Sequence, residues 1–114
     1  MTLKLFLGVF IFMLGQIGGW YQLNSQYVWK WWQDKPLMSA VVFGMPTSIA
    51  FWYAWRMVAD STQSVWSARF IGSGTGFLVF PLLTWIYLGD SMFTVKTILC
   101  LVLAVAIILI QIYG

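Results

Sequence analysis

Apolar residues fill four long runs of this chain, and polar residues concentrate in the short stretches between them. The first run covers about residues 3–23 and leaves through Asn24-Ser25-Gln26. A second, opened by Pro36, covers about 37–58, a third about 68–88, and a fourth, about 94–113, is almost pure Leu, Ile, Val and Ala. Each can cross a bilayer as a helix, for which about 20 apolar residues suffice. The pattern predicts an all-α, integral membrane four-helix bundle forming a single domain over 1–114. The connections between the last three runs are short: a polar stretch at 59–67 and a turn at Gly89-Asp90-Ser91. Short links force antiparallel neighbours, so an up-down-up-down order is expected, with both termini on one side.

Between the first two runs lies Tyr27-Val28-Trp29-Lys30-Trp31-Trp32-Gln33-Asp34-Lys35-Pro36. Trp interleaved with Lys suits the headgroup layer, where indoles sit amphipathically, so this segment is expected in the interface as a loop or short helix. The first run could be mistaken for a secretory leader, but it continues to Trp20 and only Gly18-Gly19-Trp20-Tyr21 follows, with no small-x-small cleavage pattern. It is expected to stay as the first helix. Pro46, inside the second run, removes a helical hydrogen bond and bends the helix, either as a packing kink or as a hinge.

Composition narrows the function classes. Of 114 residues, 61% are hydrophobic and 8% charged, which leaves no length for a separate soluble unit. The net charge of +3 comes from six scattered Lys and Arg, without the basic patch that nucleic-acid binding requires. With no His, three Asp and the single Cys100, the usual metal cages cannot be assembled, so no metal and no cofactor are expected. No nucleophile–base or carboxylate pair can be drawn at membrane depth, so the chain is not expected to be an enzyme. Lys4, Arg56 and Arg69 flank one side of the predicted bundle and Lys30, Lys35 and Lys96 the other. Three against three gives no orientation bias, which leaves open either a single orientation or dual insertion and pairing as an antiparallel dimer.

Small residues four apart mark contact faces between helices in lipid. Gly15-x-x-x-Gly19 and Gly72-x-x-x-Gly76 fit, with Cys100-x-x-x-Ala104 a weaker version; each serves either packing within the chain or a subunit interface. Polar groups at depth usually line a cavity or pair with one another. Gln16 is central in the first helix. Trp52, Tyr53 and Arg56 follow the kink in the second, and Arg56 stands four residues before Asp60, the spacing of an ion pair. Arg69 opens the third helix, where it either snorkels to headgroups or joins Arg56 in attracting an anionic group.

The stretch from Ser73-Gly74-Thr75-Gly76 through Pro81 to Trp85, then Leu88-Gly89-Asp90, then Thr94-Val95-Lys96-Thr97-Ile98 and an aliphatic helix, resembles the second half of the small multidrug resistance family. That family belongs to the drug/metabolite transporter superfamily, whose small members are four-helix chains working as dimers, often antiparallel. The resemblance implies a multipass protein of the cell membrane, in a bacterial inner membrane. Proton-coupled exporters of the family carry an essential Glu in helix one, three residues before a Gly; here Gln16 precedes Gly19. Glutamine cannot release a proton, so proton-coupled cation export is not expected. An aromatic of the family is replaced by Arg69, and Cys100 and Ile107 stand at the fourth-helix glycines. Retained arginines without the acid bring the chain nearer to the superfamily's small flippase subunits for lipid-linked prenyl phosphates.

The expectation is therefore a small transporter or flippase-like protein, acting as a homodimer or paralogue heterodimer among membrane lipids. Gln16, Trp20, Trp52, Tyr53, Arg56 and Arg69 would line its pocket, the aromatic faces holding an apolar body and Arg a negative charge of an amphipathic or anionic ligand. Pro46 would be its hinge. The alternative is a non-transporting adaptor or accessory subunit of a larger complex, supported by eight Trp and a nearly inert fourth helix.

Overall fold

A computed structural model of the chain describes residues 3–113. It contains four helices long and apolar enough to span a membrane: α1 (Leu3–Val28), α2 (Pro36–Thr62), α3 (Val65–Leu88) and α4 (Val95–Tyr113). The all-α four-helix architecture and the Trp-rich link between α1 and α2 are as the sequence predicts. That link forms a short 3-10 turn at Lys30–Trp32, where Lys35 donates to the Trp31 carbonyl at 2.9 Å and lies 4.0 Å above the Trp31 ring.

Helix ends differ from those read in the sequence. Asn24 and Gln26, expected as a polar exit, turn their amides back onto the Trp20 and Leu23 carbonyls at 3.1 and 2.8 Å, and α1 continues to Val28. Polar side chains that satisfy their own helix in this way do not end it. The expected polar stretch at 59–67 shrinks to Gln63 and Ser64. Gln63 adopts a left-handed conformation that closes α2, and the Ser64 hydroxyl accepts from the Ser67 N–H at 3.3 Å to cap α3. Gly89, at φ 75°, ends α3 where a side chain would be strained.

The bend expected at Pro46 takes a definite form. Ala40–Gly44 is a π-helical turn in which the Met45 N–H reaches back to the Ala40 carbonyl. Widening the helix just before a residue with no N–H relieves the clash its ring would make with the preceding turn.

α1, α2 and α3 pack against one another, and their shared core holds Leu5, Phe12, Ala54, Val58, Ala68 and Ile71. On α1 the buried positions Leu5, Gly8, Phe12 and Gly15 repeat with heptad spacing, the seam of closely packed antiparallel helices. Close approach depends on glycine here: a β-carbon on Gly8 would lie 2.7 Å from the Val58 side chain and 3.3 Å from its backbone nitrogen. α4 stands outside this trio and packs mainly on α3, so the molecule is flattened, with principal extents of 43 × 34 × 19 Å. Its docking runs through Ser67, whose hydroxyl donates to Gln111 at 2.8 Å, and through Gly74, which faces Ile108 and the buried Ala104.

One expected ion pair is replaced. Asp60 accepts from Lys4 at 3.4 Å, while Arg56 lies 5.5 Å over the Trp52 ring. Antiparallel packing brings the start of α1 to the end of α2, and Lys4 takes the carboxylate that the local spacing offered to Arg56.

Candidate functional site

Gln16 sits near the middle of α1, about 20 Å along the helix from Leu3 and about 18 Å from Val28 at 1.5 Å per residue. Opposite it, α3 presents Gly72 and Gly76 one turn apart. Gly72 leaves room for the Phe12 ring and Gly76 for the Gln16 carboxamide, whose oxygen would lie 2.9 Å from a β-carbon there. Gln16 Nε2 donates to the Gly72 carbonyl at 2.7 Å, and the same carbonyl accepts from the Thr75 hydroxyl at 2.8 Å. The glycine pair of α3 thus receives α1 of the same chain.

Beyond Gln16 the packing opens. α3 and α4 enclose a lateral groove of about 520 Å³, with Phe77, Phe80 and Pro81 as apolar walls, Gln16 and Ser73 toward mid-membrane, and Lys96 at the outer end. Pro81 donates no N–H to the Phe77 carbonyl, so the groove wall has an acceptor without its helical partner. Lys96 stands in the first turn of α4, where the helix dipole disfavours a cation, so helix stability does not explain its position. An apolar trench ending in one ammonium group at headgroup depth suits an amphiphile with a negative head.

The other residues singled out in the sequence lie apart from this groove. Trp20 is fully buried, donating Nε1–H to the Thr84 hydroxyl at 2.9 Å and stacking on Tyr87 with centroids 5.3 Å apart. It belongs to the packing and exposes no face to a ligand within the chain. Trp52 and Tyr53 meet edge to face at 5.0 Å on the outer side of α2, 57% and 54% exposed. Trp52 and Arg56 line a second groove on α2, and Arg69 is exposed and lines neither groove. Within one chain the six expected pocket residues therefore do not converge on a single cavity.

Among the small residues, Gly15 sits against the Phe51 ring, whereas Gly19 has only ordinary contacts at 3.9 Å with Phe80 and Thr47. Cys100 is exposed and lines the α3–α4 groove. Pro46 is exposed, but its neighbour Thr47 is buried beside Gly18, and among the described residues the Thr47 hydroxyl has no hydrogen-bond partner. Among the described residues, no group of three His, Cys, Asp or Glu could hold a metal ion.

Sequence reasoning missed Lys96, which was counted only as a flanking charge. It also missed an aromatic cluster at the membrane face opposite the N-terminus, where the Tyr21 and Tyr87 hydroxyls meet at 2.6 Å and Tyr21 stacks on Trp29 and Phe43 at 6.1 and 5.9 Å. Aromatic residues spaced to form a belt were visible in the sequence, but pairing between residues 66 positions apart leaves no local signal. Comparison with family models, with curated proteins and with solved structures finds no match for this chain.

Proposed function

We propose that this small multipass membrane protein takes anionic amphiphiles from the surrounding lipid into the α3–α4 groove and acts as a transporter or flippase-like carrier of the drug/metabolite transporter type. The observation that carries the reading is the apolar groove joining Lys96 at headgroup depth to Gln16 at mid-membrane. A ligand would rest its negative head on Lys96 and its chain against Phe77, Phe80 and Pro81, with the Gln16 and Ser73 side chains offering polar partners farther in. Gln16 exchanges no proton, so coupling through a membrane acid has no support at this position. The resemblance of Ser73–Trp85, Gly89-Asp90 and Thr94–Ile98 to the small multidrug resistance family favours the same reading, with a second copy or a paralogue completing the working unit and a bacterial inner membrane as host.

The test is reconstitution into phosphatidylcholine vesicles carrying a trace of acyl-labelled phosphatidylglycerol, with a membrane-impermeant reductant reporting how much label reaches the outer leaflet. Accelerated exchange that is lost in Lys96→Gln supports the reading; exchange no faster than in protein-free vesicles refutes it. A second reading, an adaptor within a larger complex, is favoured by α4, where Ala104 alone is buried. Stoichiometric co-purification with one large partner, without lipid exchange, would select it.

A further inference from the structure

The groove on α2 has its own chemistry. It encloses about 630 Å³ and is lined by Ser48, Phe51, Trp52, Trp55, Arg56 and Asp60, among others, sharing no residue with the α3–α4 groove. At 1.5 Å per residue Ser48 lies about 18 Å from Pro36 and about 21 Å from Thr62, so the groove starts near mid-membrane. Arg56, about 9 Å before Thr62, lies toward the face that carries the start of α1. Lys96 lies at the opposite face, one residue into α4. Two lateral grooves thus occupy the two halves of the membrane depth, and each contains one basic side chain.

We infer that the α2 groove is a second lipid seat, in which Arg56 holds the phosphate of an anionic phospholipid in the leaflet nearest the N-terminus while Phe51 and Trp55 flank its acyl chain. Charge carries the argument. Asp60, the acid best placed to neutralise Arg56, is taken by Lys4, and among the described residues Arg56 forms no ion pair. The Trp52 ring occupies one face of the guanidinium at 5.5 Å. A cation–π contact uses that face and leaves the N–H edge, which matches a phosphate bidentately. The indoles of Trp52 and Trp55 suit the carbonyl and headgroup layer beside it. This seat deepens the lipid-carrier reading by giving the chain one anionic-lipid contact in each leaflet, and it rests on that reading for its role in transfer.

The experiment is native mass spectrometry of the purified full chain titrated with dioleoyl phosphatidylglycerol, counting lipids that survive gentle activation. Wild type is expected to hold two per chain, Arg56→Gln one, Lys96→Gln one and the double variant none, with Arg56→Lys restoring partial occupancy. If Arg56→Gln holds as many as wild type while Lys96→Gln loses one, the α2 seat is overturned and the α3–α4 reading stands; if neither variant loses a lipid, both are overturned. If only Arg56→Gln loses a lipid, the α2 seat stands and the α3–α4 reading falls. Equal retention of dioleoyl phosphatidylcholine overturns the anionic assignment, and since Arg56 is exposed, unchanged helical circular dichroism in Arg56→Gln shows that loss of lipid is not loss of fold.

Discussion

Gln16 on α1 and Gly72 on α3 are joined by a 2.7 Å hydrogen bond from a side-chain amide to a backbone carbonyl, in the same half-buried layer where Gly76 makes room for that side chain. The Gly72 carbonyl keeps the Thr75 hydroxyl if Gln16 is removed. Gln16→Leu is therefore expected to cost only about 1 kcal/mol, the usual net value of such a bond in membranes and in water. Gln16→Glu, when ionised, puts carboxylate oxygens against a carbonyl oxygen and is expected to cost more, about 1–3 kcal/mol, an excess that disappears at acid pH where the carboxyl O–H can donate to that carbonyl. Thermal unfolding of both variants in one detergent checks the order; a Gln16→Glu protein as stable as wild type refutes it.

The glycines of α1 should respond in opposite directions. A β-carbon at Gly8 would meet the Val58 side chain at 2.7 Å, and one at Gly15 the Phe51 ring at 2.6 Å. Overpacking of this kind costs about 1–3 kcal/mol, so Gly8→Ala and Gly15→Ala are expected to lower the melting temperature. At Gly19 the nearest atoms are 3.9 Å away, and Ala is the better helix former by about 1 kcal/mol. Gly19→Ala is expected to be neutral or stabilising, and a loss comparable to that of Gly8→Ala would show that Gly19 is a contact the single chain does not reveal.

These glycines also show what the sequence could convey. Four apolar runs were enough to predict four spans, because an unbroken apolar run of this length satisfies its backbone in lipid as a helix. The four-apart rule found Gly15 and Gly72 but passed over Gly8, whose partner Gly15 lies seven residues away on the heptad seam. Helix ends were read too short because Asn24, Gln26 and Thr62 bond to their own backbone, a use of polar residues that composition cannot separate from a loop. Gln16 stood out as a lone polar group at depth. Lys96 did not, since its place in a groove depends on the opening between α3 and α4, a property of packing that no local pattern records.

Thr47 offers a test of the packing between α1 and α2. Its hydroxyl is buried beside Gly18, 7% of the residue being exposed, and has no partner among the described residues. Burying an unpaired hydroxyl is unfavourable by about 1–3 kcal/mol, so Thr47→Val, nearly the same shape, is expected to leave stability unchanged or raise it. A clear fall in melting temperature would mean that the hydroxyl is bonded in the membrane.

The Tyr21–Tyr87 contact predicts coupling. Each ring retains its stacking when its hydroxyl is removed, so Tyr21→Phe and Tyr87→Phe isolate the 2.6 Å hydrogen bond between α1 and α3. A double-mutant cycle on unfolding should return about 0.5–1.5 kcal/mol, the two single losses exceeding that of the pair. Additive losses would place the two hydroxyls in separate contacts with headgroups.

The balance of charge predicts how the chain inserts. Lys4, Arg56 and Arg69 lie toward one face and Lys30, Lys35 and Lys96 toward the other, so the Lys and Arg bias that orients multipass proteins is zero. Copies of both orientations are expected, detected as activity of both a cytoplasm-dependent and an exterior-dependent reporter fused to the C-terminus. A single added cation should then decide the matter. Gln63→Lys, in the turn between α2 and α3, is expected to hold the termini inside and silence the exterior reporter; Ser91→Lys, between α3 and α4, is expected to do the reverse. If the wild-type chain already reads one side with both reporters, the balanced count does not govern insertion, and an antiparallel pair of copies loses its basis.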